Sequence, residues 1–181
     1  WKDQRSGNFG LAGCFSTQTY KHLNSGEGGL LTSNDEEFMA RAIIYSGSYM
    51  LYERHGAAPS SEVFSNIRLE TPNYSGRMDN LRAAILRPQL KNLENNIIRW
   101  NERYQLVETE LNEVNGIEVP VRFKEERYVG SSIQFRIPGI TDSEAKSFIK
   151  KNKELGVELK WFGNDEPNGF TSNHKSWKYL S

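Results

Sequence analysis

Between Cys14 and Gly29 the chain gathers its densest set of reactive and hydrogen-bonding side chains. Ser16, Thr17, Lys21 and His22 stand there, closed by Gly26-Glu27-Gly28-Gly29. An apolar run ending at a hydroxyl, a lysine five residues later and a tight glycine turn would place an amine on a loop between two strands. Flanked by Tyr20, His22 and Leu23, Lys21 is predicted to be partly buried. Burial disfavours an ammonium, and the uncharged amine attacks carbonyl carbon. Ser16 and the neighbouring backbone N–H groups would suit a phosphate. A plainer reading stands beside this one. A lone lysine next to a glycine turn is commonly solvated, and Gly-Glu-Gly-Gly lacks the Gly-Lys-Ser/Thr ending of a phosphate loop.

Composition narrows the other classes. The 181 residues carry 23 Lys+Arg against 23 Asp+Glu, so the formal net charge is zero. A nucleic-acid binder needs a basic surplus to neutralise phosphates, and a membrane-surface protein needs a polybasic face. The mean hydropathy is −0.69, and no apolar run approaches the roughly 20 residues of a membrane-spanning helix. The 12% aromatic content argues against global disorder. With Cys14 alone, no disulfide can form within the chain and no cysteine-rich zinc site can be built. His22, His55 and His174 have no metal-ligand spacing. Asn73-Tyr74-Ser75 matches a glycosylation sequon and is taken as chance. The chain opens at Trp1 without a signal pattern and stops at Tyr179-Leu180-Ser181, and is read as an internal piece of a longer protein.

The elements that must position the lysine follow from local pattern. Leu11–Ser16 and Gly29–Thr32 read as short strands. Ser33-Asn34-Asp35-Glu36-Glu37 reads as a helix start, with a capping side chain and acids in the first turn. That helix runs on through Phe38, Ala40, Ile43 and Ile44. Residues 53–75 read as a long irregular stretch, and His55 within it as a contributor to a substrate mouth. Residues 79–112 give the clearest helix, on one face of which fall Leu81, Ile85, Leu93, Ile97, Trp100 and Tyr104. A kink or break is expected at Pro88. Beyond Asn115-Gly116, strands are expected at 117–120, 131–137 and 157–162, with a helix capped by Asp142 between them. Trp161-Phe162-Gly163 and Phe170-Thr171-Ser172 read as core aromatics or as lining of the same mouth.

Phe15-Ser16, Lys21 five residues on, Gly26-Glu27-Gly28-Gly29 and Leu30-Leu31-Thr32 resemble the lysine motif of the DegT/DnrJ/EryC1/StrS aminotransferases. These are pyridoxal-phosphate enzymes that aminate keto sugars. Arg77-Met78-Asp79-Asn80-Leu81-Arg82-Ala83-Ala84-Ile85, with Gln89-Leu90 further on, resembles the family's second signature. Asn115-Gly116-Ile117-Glu118-Val119-Pro120 is similar to its passage into the small domain.

The resemblance implies an α/β fold: part of a fold-type-I pyridoxal-phosphate transferase. Residues 1–88 would be the C-terminal part of a large, mainly parallel-sheet domain. Residues 89–181 would be the linking helix and a small, incomplete α+β domain. Lys21 would anchor pyridoxal 5'-phosphate covalently, and Ser16 would hydrogen-bond its phosphate. Arg77, with Asn73 and Ser75 nearby, would reach the cofactor phosphate of a dimer partner. Many members have Asn-x-Arg here, whereas this chain reads Ser75-Gly76-Arg77 and places Asn73 two residues too early. The alternative for Arg77 is an ordinary arginine at a helix start. The family's acid beneath the pyridine nitrogen, its ring over the cofactor and its second phosphate loop have no counterpart in the twenty residues before Lys21.

The implied parent is a cytoplasmic homodimer with shared active sites, binding neither nucleic acid nor membrane. It would move an amino group from glutamate or glutamine to a keto sugar, nucleotide-linked, or to a related cyclic polyol. Two alternatives remain: sugar dehydration on the same scaffold, whose enzymes carry His in place of the lysine, and a cofactor-free regulatory or structural protein.

Overall fold

The computed structural model describes residues 1–48, 50, 52–163 and 177–178. β1 (Gly13–Ser16) and β2 (Gly29–Thr32) form where expected and pair antiparallel, Gly13 opposite Thr32 and Ser16 opposite Gly29. Two strands alone are marginal, and the connecting loop adds its own bonds. Thr17 N–H donates to Gly28 O, Ser25 N–H to Thr17 O and Thr19 N–H to Gly26 O.

α1 (Glu36–Tyr45) starts at Asp35, whose carboxylate accepts from the Phe38 N–H, and Glu36 and Glu37 lie at the positive end of the helix dipole. It buries Ala40, Ile43 and Ile44 against Phe64 and Ile67. Those two residues belong to α2 (Ser61–Ile67), which corrects the irregular reading of 53–75, as does a 3-10 turn over Tyr52–Arg54. Val63, Phe64 and Ile67 are spaced as a helical stripe, but two turns are too short for a period to stand out. The Tyr52 ring stacks on Phe64 at 4.1 Å and closes this small core.

α3 (Asn80–Lys91) and α4 (Leu93–Asn112) fill the expected helical span, and the break falls at Asn92, four residues past Pro88. Pro88 stays inside α3, and Asn92 N–H donates to the Pro88 and Gln89 carbonyls. Leu86 and Tyr104 are buried, whereas Leu81, Ile98 and Leu106 on the same helices are exposed.

The chain divides into two compact units. The first comprises 1–107 and 121–133, the second 108–120 and 134–181, and the division falls inside α4. In the first unit Asn101 of α4 holds an extended segment. Its Nδ2 donates to Tyr128 O at 3.0 Å, and its Oδ1 accepts from the Gly130 N–H at 2.6 Å. The Arg122 guanidinium lies over the Tyr104 and Tyr128 rings, 4.4 and 3.4 Å from their centroids.

In the second unit the three expected strands reduce, among the described residues, to one antiparallel bridge between Glu118 and Arg136. Alternation is present, since Phe135 and Ile137 are half-buried beside exposed Gln134 and Arg136. A strand also needs a partner for its backbone groups. α5 (Asp142–Glu154) is capped by Thr141 rather than Asp142, in a reciprocal box: Thr141 Oγ1 accepts from the Glu144 N–H and Glu144 Oε2 accepts from the Thr141 N–H. Among the described residues no helix is long and apolar enough to cross a membrane.

Candidate active site

The loop from Ser16 to Gly28 carries the candidate chemistry. Ser16, the last residue of β1, accepts the Gln18 N–H on its Oγ at 3.2 Å, and Gln18 O accepts the Lys21 N–H at 2.9 Å. Gln18 therefore ties the Ser16 hydroxyl and the Lys21 backbone into one turn. The partial burial expected for Lys21 is not found: the side chain is exposed, with no hydrogen bond or ion pair among the described residues.

Inside the loop Thr17 is 1% exposed and its Oγ1 lies 3.0 Å from the hydroxyl of Ser25, itself 8% exposed. Ser25 also reaches Glu27 O at 3.0 Å, so Glu27 contributes its backbone to the turn. Residues distant in sequence hold the loop from outside. Gln89 of α3 accepts the Asn24 N–H at 2.9 Å and donates to Asn24 O at 2.7 Å. The His22 ring lies on Trp100 of α4, with centroids 4.6 Å apart, and its Nε2 is 2.7 Å from Ser131 Oγ. His22 thus packs on a specific ring, and Trp100 faces the loop.

Asn73, Ser75 and Arg77 form a second group, at the C-terminal end of α1. Tyr74 N–H donates to Tyr45 O and Arg77 N–H to Ser46 O. Asn73 Oδ1 accepts from the Ser75 N–H at 2.8 Å, and Ser75 has a φ of +54°. The Tyr45 and Tyr74 rings stack at 5.5 Å. The Arg77 guanidinium lies over Gly47. No hydrogen bond among the described residues links this group to Lys21 or Ser16, although a Cβ added at Gly28 would lie 2.9 Å from the Met78 Cε at the loop's end. Asp79 caps α3 by accepting the Arg82 N–H at 2.8 Å, and this bond holds its carboxyl below the usual carboxylate range. His55 is exposed and its Nδ1 accepts the Ala57 N–H. Trp161 is half-buried, Phe162 is exposed, and Phe170-Thr171-Ser172 lie outside the described residues. No cluster of metal-binding side chains occurs among the described residues.

The model of the DegT/DnrJ/EryC1/StrS aminotransferase family matches residues 1–163. The chain belongs to this family. The spore coat polysaccharide biosynthesis protein SpsC of Bacillus subtilis is 27% identical over 166 residues, 88% of this chain and 42% of that protein. Among solved structures, the sugar aminotransferase CalS13 from Micromonospora echinospora superposes with a TM-score of 0.66 at 17% identity, covering 87% of this chain and 40% of that one. The E. coli GDP-4-keto-6-deoxy-D-mannose-3-dehydratase with bound hydrated PLP gives 0.68 at 22% identity, covering 99% and 46%. The chain thus spans about two fifths of the length of such DegT-family relatives, and its fold is that part of the α/β pyridoxal-phosphate aminotransferase fold.

The donor set of this family member fits pyridoxal phosphate on its own chemistry. Lys21 offers an amine for an aldehyde, without a competing acid in contact among the described residues. Ser16 accepts one N–H, which leaves its O–H to donate to a phosphate oxygen. Sequence reasoning assigned no supporting role to Thr17, Ser25, Gln89 or Ser131. A hydroxyl pair eight residues apart and an amide that pairs with backbone leave no periodic trace. The one available signal was Gln89, which recurs in the resemblance to the family's second signature.

Proposed function

We propose that the protein to which this chain belongs is a pyridoxal-phosphate-dependent aminotransferase. It would take an amino group from glutamate or glutamine and deliver it to a keto sugar, nucleotide-linked, or a related cyclic polyol. The observation that carries the reading is the single turn in which Gln18 binds both Ser16 and Lys21. Family membership and the sugar pathway named for the Bacillus relative support it.

The cofactor, when bound, supplies an electron sink for the carbon that exchanges its amino group. Lys21 Nζ would hold the cofactor's aldehyde carbon and, once displaced, carry the proton between the substrate carbon and the cofactor. The Ser16 hydroxyl would donate to the phosphate and so fix the geometry of that transfer. Arg77, with Asn73 and Ser75, would reach the phosphate bound by a second copy of the protein, which makes the working form a homodimer. Residues 1–88 would then complete the large cofactor-binding domain, with 89–181 forming the linking helix and part of the small domain. A cytoplasmic setting accords with nucleotide-linked substrates.

The likeness to the E. coli dehydratase favours one second reading, sugar dehydration on the same scaffold. Lys21, where such enzymes carry His, weighs against it. The deciding experiment adds pyridoxal phosphate to the full-length protein, reduces with borohydride, and locates the pyridoxyl mass by peptide mapping. A label on Lys21 supports the aminotransferase reading. Its absence would leave the cofactor-free structural or regulatory role in the lead.

A further inference from the structure

Gln89 lies 65 residues from Asn24, yet its side-chain amide meets both backbone groups of that residue, as a neighbouring strand would. The same Nε2 also donates to Ile85 O on its own helix at 3.0 Å, which fixes the direction in which the amide points. Asn24 is half-buried and stands three residues after Lys21. Its carbonyl and N–H have no partner in the β1–β2 ladder, because that segment bulges out of the hairpin. The loop is also held at His22 by Trp100 and Ser131. Lys21 is therefore bracketed: Gln18 and Ser16 precede it, His22 and Asn24 follow it, and both following residues are tied to parts of the chain made much later.

From this bracket we infer that Gln89 is a positioning residue for Lys21, setting where the amine stands by fixing the backbone three residues beyond it. The inference rests on the pyridoxal-phosphate reading of Lys21. A side-chain amide suits the task because it offers one donor and one acceptor in a plane, matching a peptide group. Leucine keeps the shape and removes both bonds. Glutamate keeps an acceptor for the Asn24 N–H and sets a second oxygen against the Asn24 carbonyl.

The test compares the unaltered full-length protein with Gln89→Leu, Gln89→Glu and, as a control for α3, Arg87→Ala at an exposed position on the same helix. Two readouts are taken: hydrogen exchange of the Asn24 amide, and the fraction of Lys21 carrying the borohydride-trapped pyridoxyl label at limiting cofactor. The loss of one intramolecular hydrogen bond, on the order of 1 kcal/mol, corresponds to about a fivefold to tenfold change. Gln89→Leu is expected to speed Asn24 exchange by about that factor, with Gln89→Glu retaining part of the protection. Lys21 labelling should fall in the same order, with Arg87→Ala unchanged in both. Unchanged exchange in Gln89→Leu would overturn the clamp. Faster exchange with undiminished labelling would overturn the positioning role while leaving the cofactor reading intact. No label on Lys21 in the unaltered protein would overturn the cofactor reading and this inference with it. If Gln89→Leu does not fold, Gln89→Glu carries the same comparison.

Discussion

Arg77 lies so close over Gly47 that a single added carbon on the glycine would collide with its guanidinium. Gly47 also has a φ of +109°, in the region that side chains avoid. Gly47→Ala is therefore expected to destabilise by more than about 1 kcal/mol and to displace Arg77. Chemical denaturation of Gly47→Ala, Arg77→Ala and the double variant checks this. The clash with the guanidinium should vanish in the double variant, leaving the backbone cost and the tight approach of the Ser75 Cα at 3.2 Å, so the two effects should not add.

On the proposed function, Lys21 is the residue on which activity would turn. Lys21→Ala in the full-length protein should lower aminotransferase turnover by at least about a hundredfold, the low end of what a positioned proton carrier contributes. Lys21→Arg keeps the charge without a comparable imine anchor, and should lose the trapped pyridoxyl label as well. Amino-donor half-reactions followed by absorbance give the first result and peptide mapping the second. Normal turnover in Lys21→Ala would sink the assignment.

The α5 cap carries a pH dependence of determined sign. Bonds from the Thr141 side chain, and then from its backbone, hold the Glu144 carboxyl below the usual carboxylate range. A group whose folded pKa is depressed stabilises the fold above its unfolded value and loses that contribution as the pH falls through the folded one. Protection of the first-turn amides of α5 should therefore decline on acidification below the ordinary glutamate range, and Glu144→Gln should flatten the decline. Thr141→Ala should cost about 1 kcal/mol near neutral pH, as removal of a threonine cap does.

At Gly130 the limiting factor is space. A Cβ there would lie 2.5 Å from the Tyr104 Cβ, and Tyr104 is buried. Gly130→Ala should cost about 1–3 kcal/mol through forced overpacking. Asn101→Leu, which strips the bonds to Tyr128 O and the Gly130 N–H, should fall in a similar range because half-buried backbone groups are left unpaired. Urea titration of each variant reads both. A change under about 0.5 kcal/mol for either would mean that the 128–130 segment is held elsewhere.

The parts of this fold legible in the sequence were those with local causes. Asp35 before two glutamates, and glycines before Leu30, announced α1 and β2 at their true positions. α2 was hidden because three apolar residues in two turns resemble a loop with a few buried anchors. The helix break was expected at Pro88, since proline removes an N–H, yet a proline in the last turns disturbs only the carbonyl one turn before it, and Asn92 ends α3 instead. The strands after Asn115 were read from alternation, which reports which side chains are half-buried and says nothing about whether a ladder partner is at hand. At the site, Lys21 and Ser16 were singled out by residue type and spacing together with the family resemblance. Their supports were not, because Gln89 and Ser131 act across 65 and 109 residues of chain.

That separation has a consequence for how the protein is made. At ordinary translation speeds of about 5–20 residues per second, the lysine loop exists for roughly 3–20 seconds before Gln89 and then Ser131 are synthesised. During that interval the hairpin must keep its shape on bonds within residues 13–32, among them the β1–β2 ladder and the Thr17–Ser25 pair. The loop therefore acquires its final contacts late, as a product of long-range docking rather than of the segment that encodes it, and any delay in forming α3 prolongs the time it stands unsupported.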